Sequence, residues 1–141
     1  MKRAIVLTLV FLIFLSSCGA SDDVEIDFGE SEIYSKADIE ECMKIVKDEI
    51  GAWEGVELLS ISYTSDEENN DENISSANQV ADAKNLDIEF TQFLLLLSDF
   101  RSPEPGVGTW EESERDRLYP NWEWHFARAD EGEWQLVNMG Y

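Results

Sequence analysis

The chain has 141 residues, of which 31 are acidic and 10 are basic, so its formal net charge at neutral pH is −21. Such acidity argues against nucleic-acid binding, because that affinity comes largely from Lys and Arg side chains that neutralise phosphates. The 5 Trp, 7 Phe and 4 Tyr residues supply enough apolar material for a core, which excludes a fully disordered acidic chain and indicates one small folded domain.

The first residues have the pattern of an export signal. Lys2 and Arg3 precede an apolar run over residues 4–15 that is too short to span a bilayer. The sequence LSSC at residues 15–18 resembles the bacterial lipobox, and this resemblance implies cleavage before Cys18 and a diacylglyceryl group on its sulfur. We therefore predict a signal peptide over residues 1–17 and a lipid anchor at Cys18 that holds the protein on the extracytoplasmic side of the membrane. The alternative is an ordinary or uncleaved signal with a cysteine nearby.

Residues 18–34 are acidic with little periodicity, which favours a flexible tether with an end-to-end distance of about 20–25 Å. A single domain then follows over residues 35–141. Ser35 and Asp38 predict a helix start, and the apolar stripe from Ile39 to Trp53 extends the helix to Gly51 or Gly55. Residues 56–63 alternate between apolar and polar side chains, which predicts a strand.

The stretch SDEENNDEN at residues 65–73 is a polar loop or the acidic start of a helix, and residues 73–84 predict a short helix. Calcium is the metal that its carboxylates suit, with Asp66, Glu68 and Asp71 as candidate ligands. The stretch lacks the glycine and the spaced final Glu of a hand-type site. We therefore favour a solvated acidic loop and predict no metal.

Residues 87–100 predict a central strand with apolar side chains on both faces. One face would carry Ile88, Phe90, Leu94 and Leu96, and the other Phe93, Leu95 and Leu97. Residues 101–121 form a long loop, which is functional or mobile.

The chain then closes as a hairpin of residues 122–128 and 133–138 around Asp130-Glu131-Gly132, with glycine in the left-handed position. That register sets Phe126 opposite Leu136 and Arg128 over Trp134 as a cation–π pair. The predicted class is therefore α+β: an antiparallel sheet of about four strands with an N-terminal helix packed on it, in the order α-β-(α)-β-β-β. The order is loosely similar to cystatin-like and nuclear-transport-factor-like folds.

The segments FTQFLLLLSDFRS and NWEWHFARADEGEWQLVNMGY resemble a group of small lipoproteins from Firmicutes. The chain differs from that group at Met139 and Glu133, where the group has Trp and Lys. The resemblance implies a Firmicutes host and a lipid anchor, and it brings no catalytic residues. The matching positions are Leu96, Leu97, Ser98, Phe100, Trp122, Trp124, Gly132, Trp134, Gly140 and Tyr141.

The sequence contains few groups suited to catalysis. His125 is the single histidine, and alternation directs it away from the face of Trp124 and Phe126, beside Glu123. A general base is conceivable there, but an exposed strand position is the simpler interpretation. One histidine and the remaining Cys42 cannot form a usual zinc site, and Cys42, without a disulfide partner, is predicted to be a buried helix residue.

These observations favour a non-catalytic binding or interaction module, which captures an unknown ligand or protein partner through the 101–121 loop with Trp110 and Tyr119. No cofactor and no nucleic acid are expected. The alternatives are a small hydrolase or isomerase that uses His125 with a nearby carboxylate, and an inhibitor of an extracytoplasmic enzyme. The sequence leaves the ligand and the oligomeric state open.

Overall fold

The computed structural model describes residues 23–141, so Cys18 and the predicted signal lie outside the described residues. The strands are arranged in the order β1-β2-β3-β4-β5, with β1 parallel to β2 and every other pair antiparallel. The α+β class is confirmed, but the sheet is mixed and has five strands rather than about four antiparallel ones. The elements are β1 (Glu25–Asp27), α1 (Lys36–Gly51), β2 (Glu57–Tyr63), α2 (Asp71–Ala83), β3 (Gln92–Arg101), β4 (Leu118–Arg128) and β5 (Gln135–Gly140), with single 3-10 turns at Asp66–Glu68 and Glu112–Glu114.

The first strand corrects the predicted tether. β1 pairs with β2 so that Ile26 lies beside Ile61, and the connection through α1 makes the two strands parallel. Further along, Tyr34 is buried and its hydroxyl donates to the carbonyl of Phe93 at 2.7 Å. Most of the segment assigned to a tether therefore belongs to the domain. The sequence VEIDF at residues 24–28 does alternate, although three paired residues make a weak signal.

Helix α1 begins as its sequence predicts. The Ser35 hydroxyl accepts from the backbone N–H of Asp38 at 3.1 Å, and the Asp38 carboxylate accepts from the backbone N–H of Ser35 at 3.1 Å, which completes a capping box. The second helix, α2, matches the short helix expected over residues 73–84 to within two residues. The buried stripe of α1 consists of Ile39, Cys42, Met43, Val46 and Ile50.

The two helices cover opposite faces of the sheet. Leu94 and Leu96 of β3 pack in the α1 cluster, whereas Phe93 and Leu95 pack with Ala77 of α2. The predicted central strand with two apolar faces is therefore covered by one helix on each side. β3 is also central in the sheet, because it has strand neighbours on both edges.

The start of this strand differs from the prediction. β3 begins at Gln92 rather than at residue 87, and Phe90 packs with Phe93 and Leu95 instead of with Leu94 and Leu96. The cause is Asn78, whose side-chain amide bonds the N–H of Phe90 at 2.7 Å and its carbonyl at 3.0 Å. Because this side chain takes the place of a neighbouring strand, the alternation does not continue through residues 87–91.

The hairpin register is confirmed, since Phe126 lies opposite Leu136 and the Arg128 guanidinium lies 4.4 Å from the Trp134 ring centre. Its turn differs from the prediction, because Asp130 and the following Glu131 take the left-handed conformation. Gly132 is needed for a different reason: a Cβ there would lie 2.7 Å from the carbonyl oxygen of Ala129. β4 begins at Leu118 rather than at residue 122, so the preceding loop shrinks to residues 102–117, and β5 keeps its predicted length but lies two residues later, at Gln135–Gly140.

Candidate functional site

A cavity of about 510 Å³ opens on the α1 side of the sheet, close to the β5 edge. Three segments that are distant in sequence form it: the turn after α1, the middle of the 102–117 loop, and the paired strands β4 and β5. Its size is typical of small-ligand sites, which are concave and mostly apolar. The lining residues are Ala52, Trp53, Glu54, Gly108, Thr109, Trp110, Trp122 and Met139. We call this the aromatic cavity.

The aromatic rings that line the cavity pack against aromatic residues of the core. Trp53 stacks on Trp124 with centroids 5.8 Å apart and meets Phe100 edge-on at 5.7 Å. Trp110 and Trp122 also pack on Phe100, at 6.4 Å and 5.4 Å. Each indole of the lining is half-buried, with one part fixed in the core cluster and the rest available at the cavity. Such rings lose little conformational freedom when a ligand binds.

Arg115 organises the loop that carries Trp110. Its side chain is only 8% exposed and lies 3.1 Å from the Glu112 carboxylate. The guanidinium donates to three carbonyls of the same loop: Glu104 at 3.0 Å, Gly108 at 3.2 Å, and Val107. These bonds replace the strand partners that the loop lacks. The loop therefore has a defined conformation, although it has almost no regular secondary structure.

Two glycines let this loop approach the turn after α1. Gly55 has φ +79°, and a Cβ there would lie 2.5 Å from a methyl carbon of Val107. Gly108 has φ +65°, and a Cβ there would lie 3.0 Å from the backbone oxygen of Glu54. Both positions combine a left-handed backbone with a close contact, which only glycine tolerates without strain. The contact closes one side of the aromatic cavity.

Glu54 is the single charged residue of the lining, and it is exposed. Aromatic faces carry negative electrostatic potential, which adds to the potential of the carboxylate. The Trp122 indole N–H is buried and has no hydrogen-bond partner within residues 23–141. The Glu54 carboxylate and the ring faces, rather than this N–H, make the site suited to flat groups that are neutral or positively charged and unfavourable to anions.

The structure separates the two aromatic residues predicted to bind a ligand. Trp110 lines the cavity, whereas Tyr119 stacks on Phe100 with centroids 5.1 Å apart and planes 11° apart. Tyr119 also meets Trp110 at 5.8 Å and is half-buried, so it supports the cavity from outside its lining. Trp110 lies in the 102–117 loop and Tyr119 in β4, and both rings belong to one aromatic cluster, so ligand binding by these two residues stays a prediction.

His125 lies on the other face of the sheet, with its ring edge-on to Phe93 at 5.4 Å. Its Nε2 lies 2.8 Å from the Glu123 carboxylate, so the predicted His–carboxylate neighbour is present. The His125 side chain is 26% exposed, and neither residue of this pair lines the aromatic cavity. The one histidine and the apolar cavity are therefore on opposite sides of the molecule.

The candidate calcium ligands have structural roles instead. Asp66 accepts hydrogen bonds from the Ser31 hydroxyl at 2.6 Å, the Tyr63 hydroxyl at 2.6 Å and the Glu32 backbone N–H at 2.7 Å. Burial alone would raise the pKa of Asp66, but these hydrogen bonds outweigh it and lower the pKa.

The other two acidic candidates do not join Asp66 in a common site. Glu68 accepts from the Asn73 side chain at 3.1 Å, and Asp71 lies in the first turn of α2. Within residues 23–141, no group of three or more His, Cys, Asp or Glu side chains is arranged to hold a metal ion.

Cys42 is fully buried on α1, as its helix stripe predicts. Burial raises the pKa of its thiol, and the nearby carboxylates of Glu41 and Asp38 raise it further, so the reactive thiolate is disfavoured at neutral pH. This thiol is a core residue and does not contribute to the cavity.

The sequence did not connect several residues of the cavity region with a site, among them Trp53, Glu54, Met139 and Arg115. Trp53 is predicted as part of the helix stripe, but it lies two residues past the helix end. Met139 was noticed only as a departure from the lipoprotein group. An arginine next to Glu114 and Asp116 was the available signal for Arg115, because a buried cation needs local acceptors.

No protein-family model matches the chain, and comparison with curated proteins and with solved structures gives no significant match. Among residues 23–141, neither helix combines the length and the apolar character that crossing a bilayer requires. The lipid anchor and the resemblance to Firmicutes lipoproteins stay predictions.

Proposed function

We propose that the protein is a lipid-anchored, extracytoplasmic binding module without catalytic activity, whose ligand enters the aromatic cavity. The observation that carries the proposal is the convergence of Trp53, Trp110 and Trp122 on one opening of about 510 Å³. Three half-buried indoles around an open cavity leave apolar surface in water, which is typical of a ligand site. The resemblance of LSSC at residues 15–18 to the bacterial lipobox supports the anchor.

The domain would lie close to the membrane. Because β1 begins at Glu25, only residues 18–24 separate the anchor from the first strand, instead of the tether expected over 18–34. Seven residues span at most about 25 Å when fully extended. A short connection suits a module that takes its ligand at the cell surface.

The ligand class follows from the lining. A flat cation would stack on the indoles and face Glu54, and each cation–π contact contributes about 0.5–2 kcal/mol, depending on desolvation. A flat anion would meet the carboxylate and the negative ring faces without any cation of the lining to offset them. We therefore expect a planar cationic or neutral group to bind and an anionic one of equal size to be excluded.

Catalysis has less support. The His125–Glu123 pair has a suitable distance of 2.8 Å, but it lies on the opposite face from the aromatic cavity. A general base must reach the bond that it acts on through a direct hydrogen bond or one water. A ligand in the aromatic cavity is beyond that reach.

Tryptophan fluorescence of the full chain, extracted from membranes in detergent, tests the binding proposal. Benzamidinium is the probe and benzoate is its matched anion. We expect a saturable change with benzamidinium only, and about tenfold weaker binding in Trp110→Ala, which removes one stacking ring worth roughly 1.4 kcal/mol. The matched control is Leu118→Ala, because Leu118 is 49% exposed and does not line the cavity. Equal binding of benzoate, or unchanged affinity in Trp110→Ala, would overturn the proposal.

Intact-mass measurement of protein recovered from membranes tests the anchor. We expect a chain that starts at Cys18 and carries a lipid, and we expect Cys18→Ser to appear in the soluble fraction. An unmodified Cys18 would refute the anchored part and leave the binding part standing.

A further inference from the structure

The two edges of the sheet are protected to different degrees. β1 is only three residues long and carries Glu25 and Asp27, and short, charged strands resist pairing with another chain. β5 has six residues, QLVNMG, without a charge or a proline. Among the strands of residues 23–141 it alone lacks a charged residue, in a chain in which 29% of residues are charged. The outer edge of β5 has no strand partner within these residues.

The unprotected edge lies next to the aromatic cavity. Met139 is part of both, since it is a β5 residue and lines the cavity. It pairs with Trp124, so its side chain points to the α1 face, where the cavity opens. A strand added outside β5 would therefore place alternate side chains beside Met139, at the mouth of the cavity.

The negative charge of the cavity and of the whole chain indicates which side chain would enter the cavity and which partner would bind. An arginine side chain combines a planar cation that stacks on indoles with donors that suit the Glu54 carboxylate. A second copy of this chain is a poor occupant, because each copy carries a net charge of −21 and brings its own Glu54 to the contact.

We propose that β5 accepts an extended segment of a partner protein as a sixth strand, and that an arginine of this segment enters the aromatic cavity. The inference rests on the proposed function, since it uses the same cavity. Main-chain hydrogen bonds to β5 would supply affinity, and the cavity would supply specificity for the arginine side chain.

The test uses capped peptides with a central Arg, in which Val and Thr alternate with Lys on either side. Calorimetry measures the affinity of each peptide for the full chain. Two N-methylated versions are compared, each blocking one of the two alternate sets of backbone amides. In a strand, one set faces the neighbouring strand and the other faces away. We expect one methylated peptide to bind at least about tenfold more weakly, through the loss of several hydrogen bonds, and the other to bind like the parent.

A third peptide replaces the central Arg by citrulline, which has the same shape without the charge, and we expect about tenfold weaker binding. On the protein, Met139→Lys should weaken the parent peptide by a similar factor, whereas Leu118→Lys, the matched control away from the cavity, should not.

Equal effects of the two methylated peptides would overturn the strand pairing, and so would self-association of the chain through β5 in sedimentation experiments. If benzamidinium still binds the cavity in that case, the proposed function stands and only this inference fails. If benzamidinium does not bind either, the binding function itself fails.

Discussion

Replacing Arg115 by Lys should open one side of the aromatic cavity while leaving the sheet folded. The arginine uses two guanidinium nitrogens to bond three carbonyls, those of Glu104, Val107 and Gly108. A lysine keeps the charge but has one nitrogen, so it can preserve only part of this set. The substitution therefore removes loop contacts with little change in net charge.

The magnitude can be worked from these bonds. A hydrogen bond to a charged group contributes about 1.5–3 kcal/mol, and roughly two of the three bonds would be lost. Because two of the three contacts are exposed, we use the range for ordinary hydrogen bonds, about 0.5–1.5 kcal/mol each, and expect the loop to lose about 1–3 kcal/mol. That loss corresponds to a roughly fivefold to 150-fold larger population of the opened loop.

Hydrogen exchange at the Val107 amide measures the opening, because this N–H bonds the Glu104 carbonyl at 3.2 Å within the loop. Benzamidinium affinity should fall as well, since Trp110 is carried by the same loop. Arg117→Lys is the matched control, because the Arg117 side chain makes a single long bond, 3.4 Å, to a loop carbonyl. Unchanged exchange and affinity in Arg115→Lys would refute the role of Arg115 in holding the cavity.

Three further outcomes can be measured. Arg128→Met should lower the free energy of unfolding, measured in urea, by about 2–3 kcal/mol. The substitution leaves the Asp38 carboxylate, which is 23% exposed, without the guanidinium that lies 2.9 Å from it. Adding Asp38→Asn should restore part of the lost stability, and no restoration would contradict this reasoning. Asp66→Asn should unfold at a lower temperature than the wild type at pH 7. The pKa of Asp66 is lowered by folding, so its stabilisation is present above the unfolded value of about 4 and is lost as the pH falls through the lower folded pKa. The difference in unfolding temperature between the wild type and Asp66→Asn should therefore become smaller below about pH 4. A difference that becomes larger there would contradict the assigned hydrogen bonds. In Cys18→Ser protein, Cys42 should react with an aromatic disulfide reagent only when denaturant is present, because the thiol is fully buried; rapid reaction of the native protein would show that the helix α1 opens.

Local sequence patterns predicted the elements whose cause lies within a few residues. The capping box at Ser35, the stripe of α1 and the register of Phe126 opposite Leu136 depend on spacing and on turn residues nearby. They were confirmed because the interactions that decide them, backbone capping and side-chain alternation, are themselves short-range.

The prediction failed where a distant group changes the backbone. Asn78 bonds the backbone of Phe90 and ends the alternation before β3, and nothing in the strand's own sequence indicates this contact. The tether was misassigned for a related reason, since β1 exists only because β2 lies beside it. A three-residue strand has too few bonds of its own to form without that neighbour.

The sequence by itself determined the acidic character, the export pattern, both helices and an aromatic-rich second half. Alternation already directed His125 away from the face of Trp124, but only the tertiary structure decided that Trp53, Trp110 and Trp122 share one cavity on the Trp124 side of the sheet. Trp53 is far along the chain from the other two indoles, and Trp110 lies in a loop, so their meeting depends on strand pairing and on Arg115 closing the loop. Periodicity reports which face of its own element a side chain occupies. It does not report which other elements that face will contact.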